Sequence, residues 1–260
     1  MKKWILIGIS AVVVVIIAVL AVFIIKLGPT VKGAVNTYGP ELTKTEVSVS
    51  DVDVSILSAE AVIRGFLLGN PTGFKSAEAM KVGSIRVDID TKSLTTDTII
   101  IESIEVLAPE ITYEKNGASD NFRSILQNVQ DRVGSETGKK TETVEAKGSE
   151  KKILIRNFIV KDGKVNLSMT ALGGKGISSS LPDIHLKDIG KQGGGASPAE
   201  VFKEVFETLY SKITSSSVTD VFNKELKALS KNLDPIREKA KEAEESIKSV
   251  TDTFKGLLGN

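Results

Sequence analysis

The first 25 residues constrain this chain more than any other segment. The stretch from Trp4 to Ile25 carries no charged side chain, and Lys2 and Lys3 precede it. A helix rises 1.5 Å per residue, so about 20 such residues cross the hydrocarbon core of a bilayer. A cleaved signal peptide, the alternative, usually has a shorter apolar region that ends in small residues. The sequence therefore predicts an uncleaved transmembrane anchor over residues 1–29.

The lysines around this segment indicate an orientation. Lys2 and Lys3 favour a cytoplasmic N-terminus by the positive-inside rule, while Lys26 and Lys32 partly oppose it. With this orientation, the chain beyond residue 30 lies outside the inner membrane of a bacterium. We therefore expect a single-pass inner-membrane protein with most of its chain in the periplasm.

Composition narrows the function classes. The 34 lysines and arginines nearly cancel the 33 aspartates and glutamates, for a formal net charge of +1. No basic surface for nucleic acid is expected from such a balance. The chain has no cysteine and one histidine, which leaves little for thiolate metal sites or proton transfer. We predict no enzyme activity, no cofactor and no metal.

Alternating apolar residues predict strands from Thr45 onward. Valines occupy one phase up to Val49 and the opposite phase from Val52, which predicts a bulge between them. "VGSIRVDIDTKSL" alternates cleanly, with Ile85 and Val87 on the apolar side. "NPTGF" before it has the composition of a turn. These segments predict a sheet with one apolar face.

One strand pattern occurs twice. "IIIESIEVLAPEITYE" and "KILIRNFIVKDGKVNLSM" match at a constant offset of 54 residues, so that Ile104 corresponds to Phe158 and Ile111 to Val165. Each copy reads as a hairpin whose turn lies near Pro109 or at the equivalent Asp-Gly pair. We interpret the two copies as one hairpin module used twice, although two short strand patterns can also agree by chance.

The rest of the chain predicts helices and loops. A flexible, solvated loop is expected at about residues 133–150, and apolar stripes in residues 191–260 predict amphipathic helices. Ser197 is the predicted N-cap of the first of them. The last helix has a narrow apolar seam that fits a sheet, a partner helix or a membrane surface. Its residues are Ile236, Ala240, Ala243, Ile247, Val250, Phe254 and Leu257.

No motif for catalysis stands out. "ALGGKGI" around Lys175 lacks the spacer and the Ser or Thr of a phosphate-binding loop, so a turn between strands is the better interpretation. His185 lies near Asp183, but without a second histidine or a nucleophile it fits a structural or exposed histidine.

Three segments together carry a family resemblance. They are Gly65 to Phe74, with Asn-Pro-x-Gly-Phe at its end, Val87 to Leu94, and Ile104 to Glu114, with Pro-x-Ile-x-Tyr-Glu at its end. In this order, and behind an N-terminal anchor, they resemble the N-terminal domain of the AsmA family of envelope proteins. The resemblance covers roughly residues 1 to 115. It implies a membrane-tethered, groove-shaped β-sheet linked to lipid transport and outer-membrane assembly.

We therefore expect an α+β fold with an N-terminal transmembrane helix, a curved and mostly antiparallel β-sheet that forms a half-barrel or groove, and C-terminal amphipathic helices. The predicted domains are the anchor at 1–29, the sheet domain at 30–190 and the helices at 191–260. The expected function is lipid binding or transfer, or envelope assembly, through an apolar groove. The candidate lipid-facing residues are Val62, Phe66, Ile85, Val87, Ile104, Val106, Phe158 and Val160.

Two alternatives remain open from the sequence. The candidate groove residues equally fit ordinary core beneath the C-terminal helices. The protein also fits a membrane-tethered scaffold with a closed core, whose seam between Ile236 and Leu257 binds a partner or a second copy. The candidate partners are thus the membrane, a phospholipid, and a protein or second copy, with no nucleic acid.

Overall fold

A computed structural model describes residues 27–116, 119–138, 151–168 and 177–228 of the chain. Within these ranges an 11-stranded sheet has helices packed on one face and along one edge. The strands are β1 (Val47–Ser48), β2 (Asp51–Ser55), β3 (Glu60–Gly69), β4 (Glu78–Ile89), β5 (Thr98–Leu107), β6 (Glu110–Asn116), β7 (Ser119–Asp120), β8 (Lys152–Lys161), β9 (Lys164–Ser168), β10 (Ile177–Ser180) and β11 (Ile184–Ile189). The helices are α1 (residues 27–43), α2 (Asn121–Gly138), α3 (Pro198–Ile213) and α4 (residues 216–228).

The predicted α+β class is confirmed. The predicted fold was wrong in including a transmembrane helix. In the ranges given above, no helix is both long and apolar enough to cross a membrane. The helix that follows the predicted anchor, α1, carries Lys32 and Asn36 and packs against the sheet edge. Residues 1–26, which hold most of the predicted anchor, lie outside the described residues.

Ten of the strands form six long lines across the sheet. Four lines consist of two strands separated by a short break: β1 and β2, β5 and β6, β8 and β9, and β10 and β11. In each line both strands pair with the neighbouring line in the same register. The order across the sheet is β1–β2, β3, β4, β5–β6, β8–β9 and β10–β11. Most pairings are antiparallel, as predicted, but β5 with β8 and β6 with β9 are parallel, so the sheet is mixed.

The predicted hairpins are wrong, because each copy is a single bent strand. β5–β6 and β8–β9 lie side by side, and Ile104 pairs with Phe158 as Ile111 pairs with Val165. The sequence offset of 54 residues is therefore the register of a parallel pairing. The connection between the copies includes α2, as parallel neighbours require a long crossover. The sequence showed the repeat, but a local break in alternation does not reveal whether the chain reverses.

The breaks in these four lines lie at the same level, which Gly65 and Gly83 occupy in the unbroken strands β3 and β4, and together they form a crease across the sheet. Gly65 and Gly83 face each other between paired neighbours, since Arg64 pairs with Ser84 and Phe66 with Val82. Three residues of the row have left-handed φ angles of 60° (Gly65), 48° (Ala108) and 56° (Asp162). The same registers extend the row to both edges. Its members are Ser50, Gly65, Gly83, Ala108, Asp162 and Pro182.

The crease switches the side-chain alternation of the whole sheet. On β4, for example, the inward-facing residues have even numbers up to Val82 and odd numbers from Ile85 onward. Gly65 is fixed here by space as well as by its φ, because a Cβ would lie 2.3 Å from the Ser50 Oγ atom. The bulge predicted between Val49 and Val52 is one end of this row.

A second break lies nearer the start of β8. The pairs of β8 with β5 and with β11 both skip Arg156, and Asp188 opposite it has a left-handed φ of 57°. Beyond this point Ile155 and Ile189 face inward and form a second small core with Val201 of α3.

The helices cover the inner face and one edge. α1 runs along β1–β2, where the Val49 N–H donates to Asn36 Oδ1 at 2.9 Å and Lys32 Nζ donates to the Ser50 carbonyl at 2.6 Å. An edge strand covered in this way is protected from pairing with another chain. α2, α3 and α4 pack on the inner face, with Phe122, Phe206 and Phe222 in the core. The outer face carries ion pairs, including Arg86 with Glu60.

Candidate functional site

The inner face of the sheet presents apolar rows that cross all six lines. One row consists of Val52, Ile63, Ile85, Val106, Val160 and Ile184, in register from edge to edge. The next row toward the second break is Val54, Ala61, Val87, Ile104, Phe158 and Leu186. Strand alternation explains why such rows form. The outward row between them carries Asp53, Arg86 and Glu105 beside Val62, Ile159 and His185.

Helix α3 lies across these rows and is held at both ends. Its N-terminus has a capping box, in which Ser197 Oγ accepts from the Glu200 N–H and Glu200 accepts from the Ser197 N–H. Near its C-terminus, Tyr210 Oη donates to Asp120 Oδ2 at 3.0 Å. The capping box is internal to the helix, but Ala196 just before it exchanges two backbone hydrogen bonds with Ile153 of β8. The helix is therefore attached to the sheet at its start and to Asp120 near its end.

Aromatic stacking joins α3 to α2. The Phe206 ring stacks on Phe122 and on Phe202, with ring centroids 5.4 Å apart in each case. Phe122 is fully buried. Such pairs add about 0.5–1.5 kcal/mol beyond their buried area. The helix is thus a fixed cover over the sheet.

An apolar cavity of about 320 Å³ lies between the middle of α3 and the crease. Its helix side is formed by Phe202, Val205, Phe206 and Leu209, and Val35 of α1 closes one flank. Every residue that lines it is apolar. We call this space the apolar cavity. It is within the size range of small-ligand pockets, at the lower end.

The predicted groove residues meet at this cavity, with one exception. Those that line it are Phe66, Ile85, Val87, Ile104, Val106, Phe158 and Val160. Val62 instead lies on the charged outer face, in register with Asp53 and Arg86. Its neighbour Ile63 takes the inward position, because left-handed Gly65 shifts the alternation between Ile63 and Phe66. Contact with lipid stays a prediction for all of them.

Several residues of the cavity wall were not among the predicted site residues. The α3 residues were recognised as an apolar stripe, but nothing in the stripe told which part of the sheet it covers. Pro109 and Met80 also line the cavity, on the far side of the crease. The change of apolar phase at Gly83, from Met80 and Val82 to Ile85 and Val87, was the signal that could have placed Val82. The predicted seam from Ile236 to Leu257 lies outside the described residues.

Residues of the segments that resemble the AsmA family form a buried polar network with Asn121. Asn121 is fully buried, and its Nδ2 donates to Asn70 Oδ1 and to the Thr112 carbonyl, both at 2.7 Å. Asn70 Nδ2 donates to the Ser76 carbonyl at 2.7 Å. Glu114, 5% exposed, belongs to the same network. Both polar atoms of the Asn121 side chain have partners within the protein, so the motif residues that they bind, Asn70 and Thr112, have a structural role here.

Glu114 holds the loop that follows the Asn-Pro turn. Its two carboxylate oxygens accept from the Lys75 N–H at 2.8 Å and the Ser76 N–H at 2.7 Å. Burial on its own raises the pKa of Glu114, but these hydrogen bonds outweigh it and lower the pKa below its ordinary value of 4.5. The carboxylate is therefore charged and fully used in holding the loop.

The remaining candidates for chemistry stay apart. His185 Nε2 is 3.1 Å from Asn157 Oδ1 on the exposed face, so Asn157 is its partner. In the described part of the chain, no three His, Asp or Glu side chains come together in a way that could hold a metal ion. Lys175 lies outside the described residues.

No protein-family model matches this chain, and no curated protein matches it. The resemblance to the AsmA family therefore stays a prediction that rests on the three motif segments.

Proposed function

We propose that this protein binds the acyl chain of a lipid in the apolar cavity beneath α3. This is the lipid-binding part of the role that the family resemblance implies, in lipid transfer or in envelope assembly. The observation that carries the proposal is a cavity of about 320 Å³ lined by apolar residues alone. The location outside the inner membrane stays a prediction from the sequence.

The chemistry of the wall selects hydrocarbon. A sugar, nucleotide or peptide would lose its hydrogen bonds to water and find no polar side chain in the wall to replace them, which costs roughly 1–3 kcal/mol per buried group. A methylene group gains about 0.8 kcal/mol on leaving water. The cavity therefore favours an aliphatic chain over any polar ligand of the same size.

The size of the cavity indicates how much a bound chain contributes. Enclosed cavities made by core mutations destabilise proteins by about 24 cal/mol per Å³. This space of about 320 Å³ is partly open to solvent, so the corresponding figure of roughly 8 kcal/mol is an upper bound on the contacts that a bound hydrocarbon adds. A bound acyl chain would thus raise the thermal stability of the protein as well as occupy its groove.

Lipid extraction tests the proposal directly. The full-length protein is purified, its bound lipids are extracted and identified by mass spectrometry, and displacement of a fluorescent fatty acid gives affinities. Val205→Trp places a larger side chain in the cavity and should reduce binding at least tenfold. Val62→Trp is the matched control on the outer face and should bind as the unaltered protein does.

Two results would contradict the proposal. One is the absence of any acyl lipid above background, together with no displacement of the fluorescent fatty acid. The other is binding by Val205→Trp as tight as by Val62→Trp, with both variants folded by circular dichroism.

A further inference from the structure

One end of the sheet carries an exposed turn with an apolar tip. The turn at residues 56–59 joins β2 to β3, and the side chain of Leu57 at its tip is fully exposed. In the described part of the chain, Leu57 is the most exposed of the large apolar side chains. A single exposed leucine is common on protein surfaces, so its surroundings decide whether it has a role.

The turn is held in place by hydrogen bonds. The Ala59 N–H donates to the Ile56 carbonyl at 3.3 Å, and the Ala59 carbonyl accepts from the Ile89 N–H of β4 at 2.8 Å. The turn is thereby attached to the sheet on its far side as well as by its own strands. Leu57 is therefore presented outward by a structured turn.

Helix α1 begins toward the same end of the sheet. Asn36, in the middle of α1, accepts from Val49, which lies on the far side of the crease. Gly28, in the first turn of α1, lies against Val52, nearer the exposed turn, where a Cβ would be 2.1 Å from the Val52 carbonyl oxygen. The helix thus runs antiparallel to β1–β2, and its N-terminal end points toward the turn that carries Leu57.

Residues 1–26 join the fold at this end. They carry no charged side chain from Trp4 to Ile25, and such a run is more stable in an apolar phase than in water. Val31, in the first helical turns of α1, is a further exposed apolar side chain here. The apolar surface of the fold and the charge-free segment therefore meet at one end of the sheet.

The size of this surface indicates its partner. Leu57 and Val31 together are far too small for a specific protein–protein interface, which buries about 1,200–2,000 Å². A lipid bilayer accepts apolar side chains in proportion to their area and needs no shaped counterpart. The small, protruding tip therefore fits a lipid surface better than a protein partner.

We propose that the turn at residues 56–59 contacts the surface of a lipid bilayer through Leu57. The sheet then stands with this end toward the bilayer. The crease is at most about 20 Å further away, since Leu57 is six positions beyond Asp51, which lies beside the crease, at roughly 3.3 Å per position. The contact is separate from the apolar cavity and goes beyond the proposed function, because it assigns the surface on which the protein meets a membrane.

Single-cysteine labels test the contact in the full-length protein, which has no cysteine of its own. Ser58→Cys, an exposed position that leaves Leu57 in place, is labelled with the environment-sensitive dye NBD. The protein is reconstituted into phosphatidylcholine vesicles with or without a nitroxide on the acyl chains. The matched control is Leu107→Cys with the same label, because Leu107 is also an exposed leucine but lies beside the crease.

The label at residue 58 should lose most of its fluorescence to the nitroxide lipids, and the label at residue 107 should lose little. Leu57→Asp in the Ser58→Cys protein should abolish most of that quenching, because a carboxylate is excluded from the acyl region. Leu57 and Ser58 are both exposed, so these variants are expected to fold, which circular dichroism checks. Equal quenching at residues 58 and 107, no quenching at residue 58, or quenching that persists in Leu57→Asp would each overturn the proposal.

A last variant separates this contact from lipid binding in the apolar cavity. Val205→Trp fills the cavity and should leave the quenching at residue 58 unchanged. If the quenching disappears in Val205→Trp, the label reports lipid in the cavity and the contact of the turn is refuted. If it persists while Val205→Trp and Val62→Trp bind fatty acid equally well, the contact stands and the proposed function fails.

Discussion

Replacing Glu114 with glutamine tests whether the motif residues hold the fold. The carboxylate is buried and accepts two backbone hydrogen bonds, from Lys75 and Ser76. A glutamine has one acceptor oxygen, so one of these N–H groups would face an NH₂ group. A hydrogen bond to a charged group contributes about 1.5–3 kcal/mol, and a buried donor without a partner costs about 1–3 kcal/mol. We expect Glu114→Gln to lower the free energy of unfolding by about 3 kcal/mol.

Thermal and chemical denaturation measure this loss. For domains of about 150–250 residues, 1 kcal/mol corresponds to a shift of roughly 2–4 °C in Tm, so Glu114→Gln should unfold about 6–12 °C earlier. Glu110→Gln is the matched control, since Glu110 lies on the same strand β6 and is exposed. The control should shift Tm by no more than about 1–2 °C, because exposed substitutions rarely change stability by more than 0.5 kcal/mol.

The pH dependence gives an independent check. The pKa of Glu114 is lower in the folded protein than its ordinary value of 4.5. A lowered pKa means that the carboxylate stabilises the fold above the unfolded-state pKa, and that this contribution is lost as the pH falls through the folded-state pKa. The stability difference between the unaltered protein and Glu114→Gln should therefore be full near neutral pH and shrink below about pH 4.5. A difference that equals that of Glu110→Gln, or that does not change with pH, would refute the reasoning.

Three further substitutions test the crease and the cover. Gly65→Ala should lose at least 1–2 kcal/mol of stability in a urea melt, since its φ is left-handed and a Cβ would clash, whereas Gly83→Ala has open space and should lose much less. Ala108→Gly should leave stability unchanged or raise it by up to about 1 kcal/mol, because glycine relieves the strain of a left-handed φ; a clear loss would contradict this. Tyr210→Phe should cost about 1 kcal/mol and speed hydrogen exchange in α3, while Tyr38→Phe, at an exposed site, should do neither.

Some features of the fold could be read along the chain because they depend on nearest neighbours. Alternation of apolar residues marked the strands, and Ser197 with Glu200 marked the start of α3. The repeat at an offset of 54 residues also appeared, since two strands in parallel register on one apolar face need similar residues at equivalent positions. The break at Pro109 was visible too, but its meaning was not, because bending and reversing a strand interrupt alternation alike.

The misplaced Val62 shows the limit of such reasoning. Val62 was placed inward by counting alternate residues along one strand. Gly65, in its left-handed conformation, exchanges the inward and outward positions, and the apolar pattern of that strand does not show this. Only the neighbouring strands, with Gly83 and Ala108 at the same level, show that every line switches together. Which side chains face inward is thus determined by the pairing of neighbouring strands.

The sequence by itself determined that this chain forms a sheet with one apolar face and amphipathic helices to cover it, since the spacing of apolar residues is a local property. Tertiary structure alone decided that the sheet is creased, that the two repeats lie in parallel, and that α3 leaves an apolar cavity of about 320 Å³ over the crease. The physical reason is that a cavity depends on how residues far apart in sequence fill a shared volume. Neither the stripe on α3 nor the rows of the sheet carries that information separately.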